Sequence, residues 1–295
     1  MRRALAATTF LAAVWIATSA ADGGGPSPGL DFGTGVALPG GEVRYVAMPA
    51  GRGTLVEAVR VHGGQVARAR YLRGSYGVPL VDYGGTTGGL SRNGRRLVLA
   101  SPLGAATRFV VLDPRTFRIR GRLRLGRPWA FDALSPGGSL LYLIQYLSAA
   151  TASGQRYAVR AFNLNTWRLY SGASLDRRER DEKMTRIPVT RVEGREGRWA
   201  YTLYSRTGKG PFVHALDTVH RRAFCVDLPW RTSPSWLCRV RMRVTGGRLE
   251  LRRAGRTIAK VDTRTFEVSR WSDRSHRVAG RRGGDRTGFD FAVES

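Results

Sequence analysis

The stretch LSRNGRRLVLASPLGAATRFVVLDPRTFRIRGRLRL, Leu90–Leu125, decides how this chain folds. It opens on a polar glycine turn at Asn93–Gly94, runs into the apolar segment Leu97–Ala100 and, after a loop, gives a second apolar run ending at Leu112. Asp113, Pro114 and Thr116 then mark a tight turn, because a short acidic residue beside Pro and Thr hydrogen-bonds its own backbone. The closing segment FRIRGRLRL (117–125) sets arginine at every second position: Arg118, Arg120, Arg122 and Arg124. Successive side chains of a strand point to opposite faces, so these four share one face and Ile119, Leu123 and Leu125 share the other. Such alternation suits an outermost strand with one wet face, where charge also opposes edge-to-edge pairing. CRVRMRV (238–244) alternates in the same way. With TGGLS in front, the stretch reads as a unit of four strands.

The unit recurs. The glycine turn returns in LPGGEVRYVAM at Gly41, LSPGGSLLYLIQ at Gly138, VEGREGRWAYTLY at Gly197 and VTGGRLELRR at Gly247, with steps of 53, 44, 59 and 50 residues along the series. The second landmark returns as RAFNLNTWRL, VHALDTVHRR and AKVDTRTFEV, where Asn163, Asp217 and Asp262 take the place of Asp113. No helical pattern of useful length separates the units. Four-stranded units at periods of 40 to 60 residues predict an all-β chain, a β-propeller of five four-stranded blades. A sixth is left open by GFDFAVES at the C-terminus. The LSPGG turn and the apolar strand ending in Leu-Asp-x-x-Thr resemble the degenerate repeats of secreted YVTN-type and WD40-like propellers. The resemblance spans most of the chain and concerns architecture. There is no Gly-His…Trp-Asp pair and no Tyr-Val-Thr-Asn tetrad, so it fixes no subfamily.

Arg2 and Arg3, the apolar run Ala4–Ala17 and the small residues Thr18–Ala21 follow the order of a secretory signal peptide, residues 1–21. The run is shorter than the ~20 residues of a membrane span. The expectation is an exported monomer, secreted or held in the cell envelope, with no span after cleavage; a retained anchor is the alternative. A propeller would then occupy residues 22–274. A basic, Gly- and Arg-rich tail would follow at 275–295, with an extra strand at 288–294.

The chain carries 49 lysines and arginines against 22 acids, a formal charge of +27 at pH 7. Such a balance favours polyanions. Lys183, Lys209 and Lys260 are the only lysines, however, and GC-rich coding alone produces that skew. Cys225 and Cys238, 13 residues apart, are expected to form a disulfide in an exported chain. The bridge would contribute roughly 3 kcal/mol. Two separate thiols are the alternative, and the spacing gives no metal site. The charged insertion DRRERDEKM (176–184) reads as a solvated helical turn.

In a propeller the links between units emerge on one side. Here they are RGSYGVPLVDYGG (73–85), GRPWAF (126–131), DRRERDEKMTRI (176–187) and PWRTSPSW (229–236). They place Tyr76, Tyr83, Trp129, Trp230 and Trp236, with Asp82, on a common face suited to a glycan, a peptide or an anionic polymer. Asp132 and Arg191, on the first strands of consecutive units, are the candidates for a polar site near a central channel. No catalytic residue, metal or cofactor is assigned. The leading expectation is a non-enzymatic binding module with its ligand on the aromatic face. An exported hydrolase or lactonase acting through Asp132 is one alternative. Electrostatic attachment to an anionic cell-wall polymer, or to nucleic acid as a less favoured partner, is the other.

Overall fold

The computed structural model describes residues 27–149, 155–174, 187–206 and 210–269. The signal-peptide segment, the DRRERDEKM insertion, the basic tail and its closing strand fall outside them. The described chain is built of short antiparallel sheets in sequence order. A first sheet holds β2 (Val36–Ala37), β3 (Val43–Ala50), β4 (Gly53–Arg60) and β5 (Val66–Arg73). The second unit has β7 (Leu97–Ala100), β8 (Ala106–Leu112) and β9 (Ile119–Gly126). The third comprises β10 (Trp129–Leu134), β11 (Leu140–Tyr146), β12 (Tyr157–Asn163) and β13 (Arg168–Ala173). The fourth comprises β14 (Ile187–Glu193), β15 (Trp199–Ser205), β16 (Phe212–Asp217) and β17 (Arg222–Asp227). The fifth comprises β18 (Val240–Thr245), β19 (Arg248–Arg253), β20 (Arg256–Asp262) and β21 (Val268–Ser269). Strand β1 (Leu30–Asp31) pairs separately with β6 (Val78–Pro79). A single helical turn, α1 (Pro234–Leu237), precedes the last sheet, and among the described residues no helix is long and apolar enough to cross a membrane.

The all-β, propeller-type architecture therefore stands, but the strand count departs from five sheets of four. Among the described residues there are six sheets, of which four have four strands. The exception among the repeats is the second unit, where TGGLS contributes only isolated bridges, Leu90–Leu97 to β7 and Thr87–Leu80 to the segment before it. Gly89, at φ +91° and with the Val98 carbonyl where a Cβ would stand, turns that segment away from regular pairing.

Burial follows position in each sheet. Strands β11 and β16 read LLYLIQY and FVHALD and are buried on both faces apart from Gln145, because a neighbouring sheet covers each side. The outer strand β9 alternates half-buried and exposed residues along its length, with Arg120, Arg122 and Arg124 in solvent. Four apolar clusters fill the junctions between consecutive units: Val56 with Val110, Phe109 with Leu143, Tyr142 with Leu216, and Leu203 with Leu251. Each of these side chains contributes about 1.5–3 kcal/mol by leaving water.

The second landmark acquires a physical role. The Asp113, Asn163, Asp217 and Asp262 side-chain oxygens each accept two backbone N–H groups, from the residues two and three positions on, at 2.8–3.2 Å. The residue four positions on is then held at positive φ: Phe117 at 55°, Trp167 at 56°, Arg221 at 56° and Phe266 at 60°. In every case its side chain swings back onto the preceding unit. Phe117 meets the Tyr45 ring edge-on, and Trp167 lies over Gly121, where a Cβ would have no room. Arg221 sits 4.0 Å from the Tyr170 ring centroid, and Phe266 stacks on Phe224 at 4.8 Å.

Asp217 is the most enclosed of these turn residues, 1 % exposed. Burial acts to raise its pKa, but hydrogen bonds from Arg198, His220 and two backbone N–H groups outweigh it and hold the carboxyl at about 2. A depressed native pKa stabilises the fold above the unfolded value, near 3.9, and that stabilisation is lost as pH falls through the native one. Melting temperature should therefore drop between about pH 4 and pH 2, and Asp217→Asn should flatten that limb while lowering stability at neutral pH.

Candidate functional site

Two cavities lie toward opposite ends of β10. One, about 480 Å³, opens among the links and loops: Phe32, Tyr83, Pro102, Leu103, the N-terminal end of β10 at Trp129, and Phe131. The other, about 420 Å³, opens among the glycine turns: Leu38, Pro39, Arg92, Gly194, Arg195 and the C-terminal end of β10 at Leu134. Phe131 forms part of the wall of both.

The turn-side cavity holds the polar pair expected from the sequence. Arg191 donates from its two terminal nitrogens to the Asp132 carboxylate and backbone carbonyl, and its Nε donates to Thr202 Oγ1 at 2.8 Å. Their side chains are 5 % and 3 % exposed. Burial works to lower the Arg191 pKa, and the adjoining Asp132 carboxylate more than offsets this, holding the guanidinium above its ordinary range. At the mouth the Arg92 guanidinium donates to the Arg195 carbonyl at 3.3 Å, tying the second unit to the fourth. The two buried charges of this cavity, Asp132 and Arg191, thus satisfy each other, while Arg92, Glu193 and Arg195 in its lining are exposed and make no ion pair among the described residues.

The loop-side cavity is different in kind. Phe32, Tyr83 and Leu103 are 39 %, 49 % and 50 % exposed and surround one opening. The Tyr83 backbone N–H is anchored to the Pro188 carbonyl at 3.0 Å, so its ring is carried on a fixed segment. Asp82 beside it is fully buried. Its Oδ1 caps the turn by accepting from Thr86 N–H, while Oδ2 has no hydrogen-bond partner among the described residues.

The aromatic residues expected on one face are divided by the structure. Tyr83 and Trp129 do line the same cavity, although Trp129 is only 4 % exposed and its ring belongs to the junction between the second and third units. Tyr76 is buried in the first junction, its N–H held by Thr54 Oγ1 at 2.8 Å. Trp230 is buried in the last junction, and Trp236 packs against the same cluster with the Arg253 guanidinium over its ring. These three are wedges between sheets and stand apart from the cavity. The disulfide is corrected as well: Cys225 and Cys238 are separate thiols. On β17, Cys225 faces the cluster between units three and four, whereas the segment at Cys238 packs toward the opposite face of that sheet, where Leu237 and Val240 are buried. Cys238 Sγ donates to the Ser235 carbonyl. Sequence reading missed Phe32 and Leu103. Leu103 left a signal, an apolar residue between Pro102 and Gly104 at a loop tip. Phe32 left none, because its place depends on the β1–β6 pairing.

No protein-family model matches the sequence, and no curated protein is similar to it. Solved structures with related shape include the Cps50 (Swd1) β-propeller domain of Myceliophteria thermophila, 15 % identical, with 80 % of this chain and 65 % of that one covered at a TM-score of 0.41. The Dos1 propeller is 11 % identical over 85 % of this chain and 59 % of its own, at 0.41. An acylaminoacyl peptidase of Pyrococcus horikoshii is 9 % identical over 82 % and 39 %, at 0.48. The chain thus spans less than two thirds of each of these proteins.

The burial of the Asp132–Arg191 pair has a measurable consequence. Asp132→Ala strands a buried guanidinium and should cost about 3–5 kcal/mol in denaturant unfolding, whereas the double variant Asp132→Leu/Arg191→Met should recover at least half of that loss.

Proposed function

We propose that this protein is a binding module whose ligand enters the loop-side cavity. The observation that carries the reading is the grouping of Phe32, Tyr83 and Leu103, three exposed large apolar side chains, around one opening. Exposed apolar groups gathered at a concave site are the usual mark of a ligand surface. The rings of Phe32 and Tyr83 suit a ligand with a flat apolar side, a sugar ring or the side chain of a peptide. An exported hydrolase or lactonase acting through Asp132 has less support, because Arg191 already engages that carboxylate. We read the five repeating sheets as five blades, with β1 and β6 as a strap beside the cavity, and the first 21 residues as an export signal.

The double variant Phe32→Ala/Tyr83→Ala should lose at least tenfold in affinity for the neutral oligosaccharide or peptide that binds best in a panel, with its melting temperature nearly unchanged. Binding should also differ little between about 50 and 200 mM salt, since no counterions are released. Trp129→Ala, by contrast, should destabilise the fold by about 3–5 kcal/mol, as truncation of a buried aromatic does. Unchanged binding by the double variant would remove the site.

A further inference from the structure

The four junctions between consecutive units are not built alike at their outer ends. At the second junction the outer strands contribute Leu123, Leu125 and Leu169 to the apolar cluster. At the third they contribute Ala223, Cys225 and Tyr170, and at the fourth Phe224, Val226, Phe266 and Val268. At the first junction they contribute Leu72 and Ile119. The other positions that face inward there are arginines. Arg68 and Arg70 pair across from Ala58 and Val56, and so turn toward the second unit. Arg122 pairs with Val110, and Arg124 with Arg108, so these three turn toward the first.

All five are exposed. Arg70 spans the junction and donates to the Phe117 carbonyl at 2.9 Å. The nearby acid, Asp113, is occupied by Arg120 and by two backbone N–H groups. Among the described residues Arg68, Arg108, Arg122 and Arg124 meet no carboxylate. Two adjacent outer strands therefore form a groove walled by uncompensated guanidinium groups, at the one junction where the apolar seam stops short of the rim.

From this juxtaposition we propose that the groove between the first and second units binds a flexible linear polymer of phosphate groups. Guanidinium is planar and presents paired N–H donors that match tetrahedral oxyanions, which a carboxylate polymer meets less well. Arginines two residues apart on one strand stand about 6.5–7 Å apart, a spacing that a flexible polyphosphate chain can follow. The aromatic rings at the floor, Tyr45 and Phe117, pack edge-to-face against each other, with Phe117 only 1 % exposed. The groove thus lacks the open stacking platforms that single-stranded nucleic acid uses. This site is separate from the loop-side cavity and does not depend on its occupant.

The test is binding of inorganic polyphosphate to the full chain at about 50 and 200 mM salt, for the protein itself and for two triple variants of equal charge change. Arg68→Gln/Arg122→Gln/Arg124→Gln should lower affinity at least tenfold and flatten the salt dependence by about two to three in log–log slope. Arg44→Gln/Arg52→Gln/Arg256→Gln, on exposed positions outside the groove, should change it less than twofold. Arg70 is left intact because it holds the junction, and unchanged melting temperatures confirm that both variants are folded. Equal losses from the two triples would overturn the proposal, as would polyglutamate binding as tightly as polyphosphate. Tighter, groove-dependent binding of an oligothymidylate of matched charge would also overturn it, in favour of nucleic acid.

Discussion

The array rests on one repeated hydrogen-bond arrangement: a side-chain oxygen that takes two backbone N–H groups and so bends the next residues into a left-handed turn. Holding a residue other than glycine at positive φ costs of order 1–3 kcal/mol. The cost is offset because the same bend carries a ring or guanidinium back across the junction. Tyr45, Gly121, Tyr170 and Phe224 each receive one such group. Hairpin geometry and sheet-to-sheet packing are therefore set by the same few atoms. The first unit differs. Its corresponding turn is made by Gly63 and Gly64, both at positive φ with open space around them, and nothing reaches back from it.

Along β10, polar and apolar chemistry are kept apart. The buried charges of the turn-side cavity are largely consumed by one another, which suits a structural role: Arg191 joins the third and fourth units, and Arg92 joins the second and fourth. The loop-side cavity has few such obligations and leaves its rings in water. Phe131 stands at the boundary. A ligand taken up at one end would thus meet a surface whose support comes from ion pairing at the other.

Much of this was legible from residue order, because the repeat imposes the same local physics several times. The alternation of Arg118 to Arg124 gave the exposed arginines of an outer strand, and the Asp-x-x-Thr landmark gave the turns. It did not give the irregularity at Arg120, which puts Ile119 at the first junction while Leu123 and Leu125 pack at the second. First-strand position alone brought Asp132 and Arg191 into one site. What could not be read was which face an intervening side chain takes when the chain between is irregular. The 13-residue spacing of Cys225 and Cys238 says nothing of the sheet that separates their environments. Trp230 and Trp236 look the same in sequence whether they wedge between sheets or line a pocket. The arginine stripe also had a second property that sequence could not show: its facing of Arg68 and Arg70 depends on how two sheets meet.

The reach-back contacts all point toward the N-terminus, and this gives the assembly a direction. A unit emerging during synthesis finds its docking surface already made, since the ring or guanidinium it must place belongs on the sheet completed before it. Domains form in that order as the chain is extended. The array can therefore grow as a zipper closes, one sheet at a time, without holding an unfinished unit open for a partner still to be synthesised.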